Sequence, residues 1–218
     1  MDNKEYLDII KQTQRCQRNW DLDKTVDDQT IDFLIESGYN VATKQNLNSF
    51  KIVCVKTRKE IQKWGAVSRN PDAEISYLRD DDIKSAKANY QNPQTDANLL
   101  FLFFINMDER TSQARRDRER GPDPSEEEWI KLKHLEIGLA AQAISTAAVL
   151  NGLRSGMCGC IWSNMIKDDW IKDWKVDKHD LVLMMGVGYP LHKDHTAIGN
   201  TGEHKSSFAK RPYKKIIQ

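Results

Sequence analysis

The sequence lacks several features that would assign it to common classes of protein. Its longest uninterrupted apolar run has seven residues, Leu99 to Ile105, whereas a helix needs roughly 20 apolar residues to cross a bilayer. The 33 basic and 32 acidic residues leave a net charge of +1, without the excess positive charge that binds nucleic acid or anionic membranes. We therefore expect a small-molecule substrate, no nucleic acid and no membrane.

The N-terminal residues lack the basic and then apolar pattern of a secretory signal, so we expect a cytoplasmic protein. The four cysteines are then expected to be reduced thiols rather than a disulfide framework. Cys158 and Cys160 flank a single glycine, which is too close for the C-x-x-C spacing of redox or zinc sites. The histidines at 192, 195 and 204 also fit no common ligand spacing. We therefore predict no metal site.

With 218 residues, 39% hydrophobic and 30% charged, the chain fits a single globular domain, residues 1–218. A helix is predicted after Thr25, which forms a capping box with Asp28, and Gly38 ends it. The segment 108–128 is dense in charge and contains glycine and prolines, so it is either a lid or an exposed surface excursion. The continuous apolar run Leu99–Ile105 is typical of a strand covered on both faces. Phe50–Val55 is predicted to be a buried strand and Leu181–Gly188 a further central strand.

A long helix is predicted to begin after Ser125, which forms a capping box with Glu128, and to end at Leu150. Asn151 and Gly152 form its stop. Between residues 137 and 149 almost every side chain is apolar or small, which predicts burial nearly all round. A helix of this length is longer than one small domain can easily bury, so a second subunit could reasonably bury the rest of its apolar surface.

Three segments carry candidate site residues, and each also has an ordinary structural explanation. Arg15 and Arg18 are either a guanidinium pair that grips a phosphate or two solvated arginines. The loop 42–46 offers hydroxyl and amide groups to a ligand, although loops are polar in general. The two glycines in 153–161 either bring the backbone close to a flat ligand or form a plain turn between helix and strand.

Taken in this order, the segments resemble the FMN-dependent nitroreductase family over most of the chain. Arg15-Cys16-Gln17-Arg18 resembles the family's Arg-Arg-Ser-x-Arg type motif, with Cys16 where serine is usual. Residues 42–50 follow the spacing of its Pro-Ser-Ser-x-x-Asn-x-Gln-Pro-Trp type loop and keep Asn46, but both prolines and both serines are missing. Gly156-Met157-Cys158-Gly159 resembles its flavin-facing turn, and Lys210-Arg211-Pro212 resembles its closing basic motif.

The resemblance implies an α+β, three-layer sandwich with the nitroreductase-like fold. Its central sheet would be mixed, mainly antiparallel and flanked by helices, and the long buried helix would lie at a homodimer interface. The implied cofactor is FMN with NAD(P)H as the electron donor, and the implied reaction is ping-pong reduction of a nitroaromatic, a quinone or a related small electrophile. The alternatives are a dehalogenase, a dehydrogenase, a flavin-consuming enzyme or a non-catalytic flavin-binding protein of the same fold.

The resemblance also implies roles for individual residues, and no catalytic side chain is among them because the flavin carries the chemistry. The arginine pair and Lys210 or Arg211 would neutralise the phosphate, and Arg18 is also the candidate cation beside the pyrimidine edge. The backbone N–H of Cys158 or Gly159 would donate to the flavin N5. The thiols of Cys158 and Cys160 would either pack against the ring or be redox-active. The loop residues Thr43, Lys44 and Asn46 would reach the flavin from the partner subunit. The implied cofactor-binding set is Arg15, Cys16, Gln17, Arg18, Thr43, Lys44, Asn46, Met157, Cys158, Gly159, Lys210 and Arg211.

Overall fold

A computed structural model of the protein describes residues 1–14, 16–43, 46, 48–68, 92–106 and 126–191. The predicted charged segment 108–128 lies outside these ranges except for its last three residues, which begin a helix. The helices and strands, in chain order, are α1 (Asn3–Gln12), α2 (Asp28–Tyr39), β1 (Phe50–Val55), α3 (Arg58–Lys63), β2 (Leu99–Ile105), α4 (Glu126–Leu150), β3 (Arg154–Cys158), α5 (Asp168–Ile171) and β4 (Leu181–Gly188). Short 3-10 helices lie at Trp64–Ser68, Pro93–Asp96, Ser163–Met165 and Lys178–Asp180.

The four described strands form one sheet in the order β1-β2-β4-β3, and every pairing among them is antiparallel. Strands β1, β2 and β4 have the predicted bounds because each is mostly apolar and begins directly after a polar residue, Ser49, Asn98 or Asp180. Strand β2 is central, and its residues 99–104 are all buried. Helices lie on both faces of the sheet. The α+β class expected from the sequence is confirmed.

The sheet has a hydrophobic cluster on each face because alternate side chains of a strand point to opposite sides. Phe101 and Phe103 pack with α2 and α4 on one face. Leu100, Leu102 and Phe104 pack on the other face with α3 and the 3-10 helix that follows it. Trp174 stacks on the buried Trp64 there, with ring centroids 5.8 Å apart. Truncating one of these buried phenylalanines to alanine typically costs about 3–5 kcal/mol.

The ends of the helices follow local hydrogen bonding. The N-cap of α2 is Asp27, whose carboxylate accepts the Thr30 N–H at 2.8 Å, so the predicted capping box at Thr25 is wrong by two residues. Thr57 is the N-cap of α3. Helix α4 ends at Leu150, as predicted, and Gly152 follows with φ of 71°. Such a positive φ favours glycine over other residues.

Helix α4 is buried along one side only, which corrects the prediction that it is buried nearly all round. Within a single chain, the exposed fractions of Leu135, Leu139 and Leu150 are 60%, 42% and 57%. A Cβ added at Gly138 would meet nothing within 4 Å. Leu135, Gly138 and Leu139 form a short uncovered apolar stripe on α4, and Leu150 is exposed farther along the helix. No helix in the described ranges is both long and apolar enough to pass through a membrane.

Candidate functional site

The segment 16–21 lies directly across the last two strands of the sheet. The Gln17 N–H donates to Ser155 O on β3 at 2.9 Å, and the Asp21 N–H donates to Tyr189 O at 2.8 Å. Between these points the Trp20 indole N–H donates to Pro93 O at 2.6 Å. Gln17 and Trp20 are both buried. The segment is therefore fixed at both ends and in the middle.

Three glycines let the chain pack this closely on the sheet. Gly156 of β3 and Gly186 of β4 are paired in register. A Cβ at Gly156 would overlap the carbonyl oxygen of Gln17, and one at Gly186 would lie 2.6 Å from the carbonyl oxygen of Gln94. A Cβ at Gly188 would overlap the Asn98 side chain. Only glycine lets backbone lie this close to the sheet surface.

Gly156, Gly186 and Gly188 together form a flat surface on the sheet, the glycine platform. Cys16 and Arg18 lie on this platform, next to the end of β3. The Cys16 thiol donates to Met157 O at 3.4 Å and accepts from Gln94 Nε2 at 3.1 Å. Burial raises the pKa of the Cys16 thiol, and this effect is opposed by the positive charge of Arg18 and by the hydrogen bond to Met157. Arg18 is partly buried. Its side chain hydrogen-bonds to the Cys16 thiol, which places the guanidinium beside Cys16.

Gly156, Met157 and Cys158 do not form the turn predicted from the sequence. They belong to strand β3, and Met157 is paired with Met185 of β4. Only Gly159 lies beyond the strand, and a Cβ there would meet nothing within 4 Å. The correction has a physical reason: β3 runs alongside β4, whose backbone groups pair with it despite its polar and glycine-rich sequence. The open space lies beside the end of a strand rather than inside a turn.

Gln94 is a buried site residue that the sequence did not identify. Only 4% of its surface is exposed. Its side-chain amide donates to Cys16 Sγ at 3.1 Å and lies 3.4 Å from Gln17 O. The Asn92-Pro93 pair is a turn signal in the sequence. Asn92 is the N-cap of the 3-10 helix Pro93–Asp96, which contains Gln94. That signal predicts the turn but not the contact with a segment more than 70 residues away.

Hydrogen bonds link the described residues of the predicted loop before β1. The Thr43 hydroxyl donates to Asn48 Oδ1 at 3.2 Å, and the Asn46 N–H donates to Thr43 O at 3.1 Å. Asn46 and Asn48 have φ of 56° and 49°, a conformation that asparagine tolerates better than most residues. The Tyr39 hydroxyl then accepts the Ile52 N–H at 2.8 Å, which ties the end of α2 to β1. Asn46 is exposed and Thr43 partly so.

Helix α4 also supports this loop. Glu136 accepts the Ser49 N–H at 3.3 Å and is only 5% exposed. Glu136 is therefore buried, whereas His134, two residues earlier on the same helix, is exposed. A buried carboxylate bonded to a backbone N–H positions the start of β1 relative to α4.

A single chain does not bring the two groups of predicted residues together. Thr43 and Asn46 precede β1, one edge strand of the sheet, whereas Cys16, Gln17 and Arg18 lie against β3 at the other edge. At about 4.8 Å per strand, these edges are about 14 Å apart. Arg15, Lys44, Lys210 and Arg211 lie outside the described residues, as do the three C-terminal histidines. In the described part of the chain, no three His, Cys, Asp or Glu side chains form a cluster suited to a metal ion.

Comparison with known proteins gives a consistent family. A model of the nitroreductase family matches residues 12–189. A nitroreductase with bound FMN from Bacteroides fragilis has a similar structure, with a TM-score of 0.62 and 13% identity over 98% of this chain and 99% of that one. NfrA2 of B. megaterium has a TM-score of 0.60 and 19% identity over 96% and 76%. NfrA1 nitroreductase of B. subtilis has a TM-score of 0.59 and 20% identity over 85% of this chain, which spans 66% of NfrA1. Among curated proteins there is no match.

Proposed function

Because the chain belongs to the nitroreductase family, we propose that it is an FMN-dependent oxidoreductase. We infer that it takes hydride from NAD(P)H and reduces a nitroaromatic, a quinone or a related small electrophile in a ping-pong reaction. The observation that carries the proposal is the glycine platform, which holds Cys16, Gln17 and Arg18 beside the open end of β3. The cytoplasmic location remains a prediction.

The described residues fit FMN by their chemistry. Arg18 offers a guanidinium to the phosphate, and such charge-assisted hydrogen bonds are stronger than neutral ones. A Cβ at Gly159 would meet nothing within 4 Å, and we infer that the flavin ring lies on this side, next to the backbone N–H of Cys158 or Gly159. Bound FMN would supply the hydride chemistry, so no side-chain acid, base or nucleophile is needed. Arg15, Lys210 and Arg211 would add positive charge at the phosphate.

We further propose that the enzyme is a homodimer whose flavin site is shared between subunits. In this arrangement Thr43, Lys44 and Asn46 come from the partner, which accounts for their position across the sheet from Arg18. The uncovered apolar stripe on α4 supports a subunit interface, since monomeric proteins rarely expose large contiguous apolar patches. Tyr6 and Leu7 of α1 are exposed as well.

The absorbance spectrum of the purified protein tests the function. We expect yellow protein that releases FMN on denaturation and loses its flavin absorbance on addition of anaerobic NADPH or NADH. Protein that binds FMN but is not reduced by either nucleotide would instead support a non-catalytic flavin-binding protein. Colourless protein that fails to take up added FMN would refute both.

The role of Arg18 can be tested by substitution. Arg18→Ala is expected to weaken FMN binding about 10- to 100-fold, because a hydrogen bond to a charged group contributes about 1.5–3 kcal/mol. Lys59→Ala removes an exposed charge on α3 and is the matched control, expected to leave the affinity unchanged. Fluorescence titration with FMN measures both variants, and circular dichroism checks that they fold. Full FMN affinity in a folded Arg18→Ala variant would exclude the phosphate contact.

The dimer is tested by placing charge on the stripe. Leu139→Glu is expected to give monomers that bind FMN poorly, because each site would then lack the residues of the partner. Leu22→Glu, at a position 52% exposed in the turn before α2, is the control and should remain dimeric. Light scattering after size-exclusion chromatography reports the mass. A monomeric wild-type protein that retains FMN would exclude the shared site.

A further inference from the structure

Three of the four cysteine side chains meet at the end of β3. Cys158 is the last residue of this strand, and the side chain of Cys160 hydrogen-bonds to it. The Cys16 thiol bonds to Met157 O, next to Cys158. Cys54 lies on β1, at the opposite edge of the sheet. All four cysteines lie in the described ranges, and no disulfide bond joins them.

Cys158 and Cys160 have a geometry from which a disulfide bond can form. In extended chain, residues two apart project to the same side, and their Cα atoms are about 6.6 Å apart. Disulfides join Cα atoms about 4.4–6.8 Å apart. The two side chains already hydrogen-bond to each other, and the glycine between them has the conformational freedom that closing so short a ring requires.

The two thiols also differ from Cys16 in access and in surroundings. Cys160 is exposed and Cys158 is partly exposed, so small oxidants reach the pair. The Cys16 sulfur is hydrogen-bonded to both Gln94 and Met157 O, which hold it in place. The pair 158 and 160 is therefore the one in which a disulfide forms with the least movement.

We propose that Cys158 and Cys160 are a redox-active dithiol that hydrogen peroxide oxidises to a disulfide. The Cys158 sulfur attacks one peroxide oxygen, so an S–O bond forms, the O–O bond breaks and one water leaves. The Cys160 sulfur then attacks the Cys158 sulfur, so the S–S bond forms, the S–O bond breaks and a second water leaves. One peroxide thus consumes both thiols and yields one disulfide and two waters, and a small dithiol reverses the reaction.

The two thiols also interact electrostatically. Repulsion from the neighbouring Cys158 raises the pKa of Cys160, and burial and the hydrogen bond between the two thiols add to this effect. The proposal goes beyond the flavin chemistry and does not depend on it.

Peptide mapping of the full-length holoenzyme tests the proposal. Reduced protein is treated with one equivalent of hydrogen peroxide, alkylated, denatured and digested with trypsin. Both cysteines lie in one expected peptide, residues 155–167. We expect this peptide to escape alkylation and to have the mass of the unmodified sequence less two hydrogens, and dithiothreitol should restore both thiols. Flavin content, measured in the same samples, reports separately on FMN binding.

Single substitutions identify which two cysteines form the disulfide bond. Cys16→Ser and Cys54→Ser proteins should still form the disulfide, whereas Cys160→Ser protein should lose it and leave Cys158 as a sulfenic acid that dimedone traps. Three results would overturn the proposal: complete alkylation of the peptide after peroxide treatment, a disulfide that joins it to the peptide of Cys16, or direct conversion of the thiols to sulfinic acid.

Discussion

Replacing Gly156 by alanine tests how the site is built. The added Cβ would overlap the Gln17 carbonyl oxygen and would lie 2.8 Å from Gln94 Nε2 and 3.0 Å from Cys16 Sγ. Favourable contact between non-bonded heavy atoms begins at about 3.5 Å. The segment 16–17 must therefore move away from β3 by on the order of 1 Å. The backbone of this segment cannot move aside as easily as the end of a flexible side chain can.

The cost of this movement has two parts. A shift of this size takes the hydrogen bond from Gln17 N–H to Ser155 O, 2.9 Å long, out of bonding range, which costs about 1 kcal/mol. Overpacking a well-packed site costs a further 1–3 kcal/mol or so. We therefore expect Gly156→Ala to lower the free energy of unfolding by about 2–4 kcal/mol. It should also weaken FMN binding, because Arg18 moves with the segment.

Urea denaturation followed by tryptophan fluorescence measures the loss, at one protein concentration because the proposed dimer would make stability depend on concentration. Gly159→Ala is the matched control for stability, since a Cβ at Gly159 meets nothing within 4 Å. The free energy of unfolding of Gly159→Ala should stay within about 0.5 kcal/mol of the wild-type value. An equal midpoint for Gly156→Ala and wild type would refute the close packing of segment 16–17 on β3.

Substitutions at two further positions test the charged groups of the fold. Glu136→Ala removes the acceptor of the buried Ser49 N–H and should cost about 1–3 kcal/mol in urea denaturation, whereas Glu136→Gln keeps an acceptor oxygen and should recover most of the loss. Burial raises the pKa of Asp180, and repulsion from Asp177 adds to this effect, so the wild type loses stability as the pH rises through the folded-state pKa. Asp180→Asn should therefore be more stable than wild type at pH 7, with an advantage that disappears as the pH falls to about 4; an advantage that grows on acidification would contradict the raised pKa.

The sequence predicted three of the four described strands well because each is mostly apolar. Strands β1, β2 and β4 begin and end at the predicted residues, and α4 ends where Asn151 and Gly152 follow it. Burial decides these boundaries, and hydropathy reports burial directly. The N-cap of α2 was misplaced because Thr25 and Asp27 both have capping side chains and only the structure shows which one accepts the Thr30 N–H.

Strand β3 could not be predicted in the same way. Its sequence, Arg-Ser-Gly-Met-Cys, has no apolar period. The strand forms because β4 offers it a backbone partner. Gly156 is required by the chain that packs over it. The contacts of Gln94 and Glu136 were missed for a related reason: each joins segments that are more than 70 residues apart.

The strand order explains why the candidate residues remained in separate groups. Segments 16–18 and 156–159 are distant in sequence, yet β3 brings them together through the hydrogen bond between Gln17 and Ser155. The loop with Thr43 and Asn46 leads into β1, and two further strands lie between β1 and β3. No movement of a loop within one chain carries these residues across a packed sheet. A site that uses both groups therefore requires two chains, so loss of the dimer and loss of FMN should occur together.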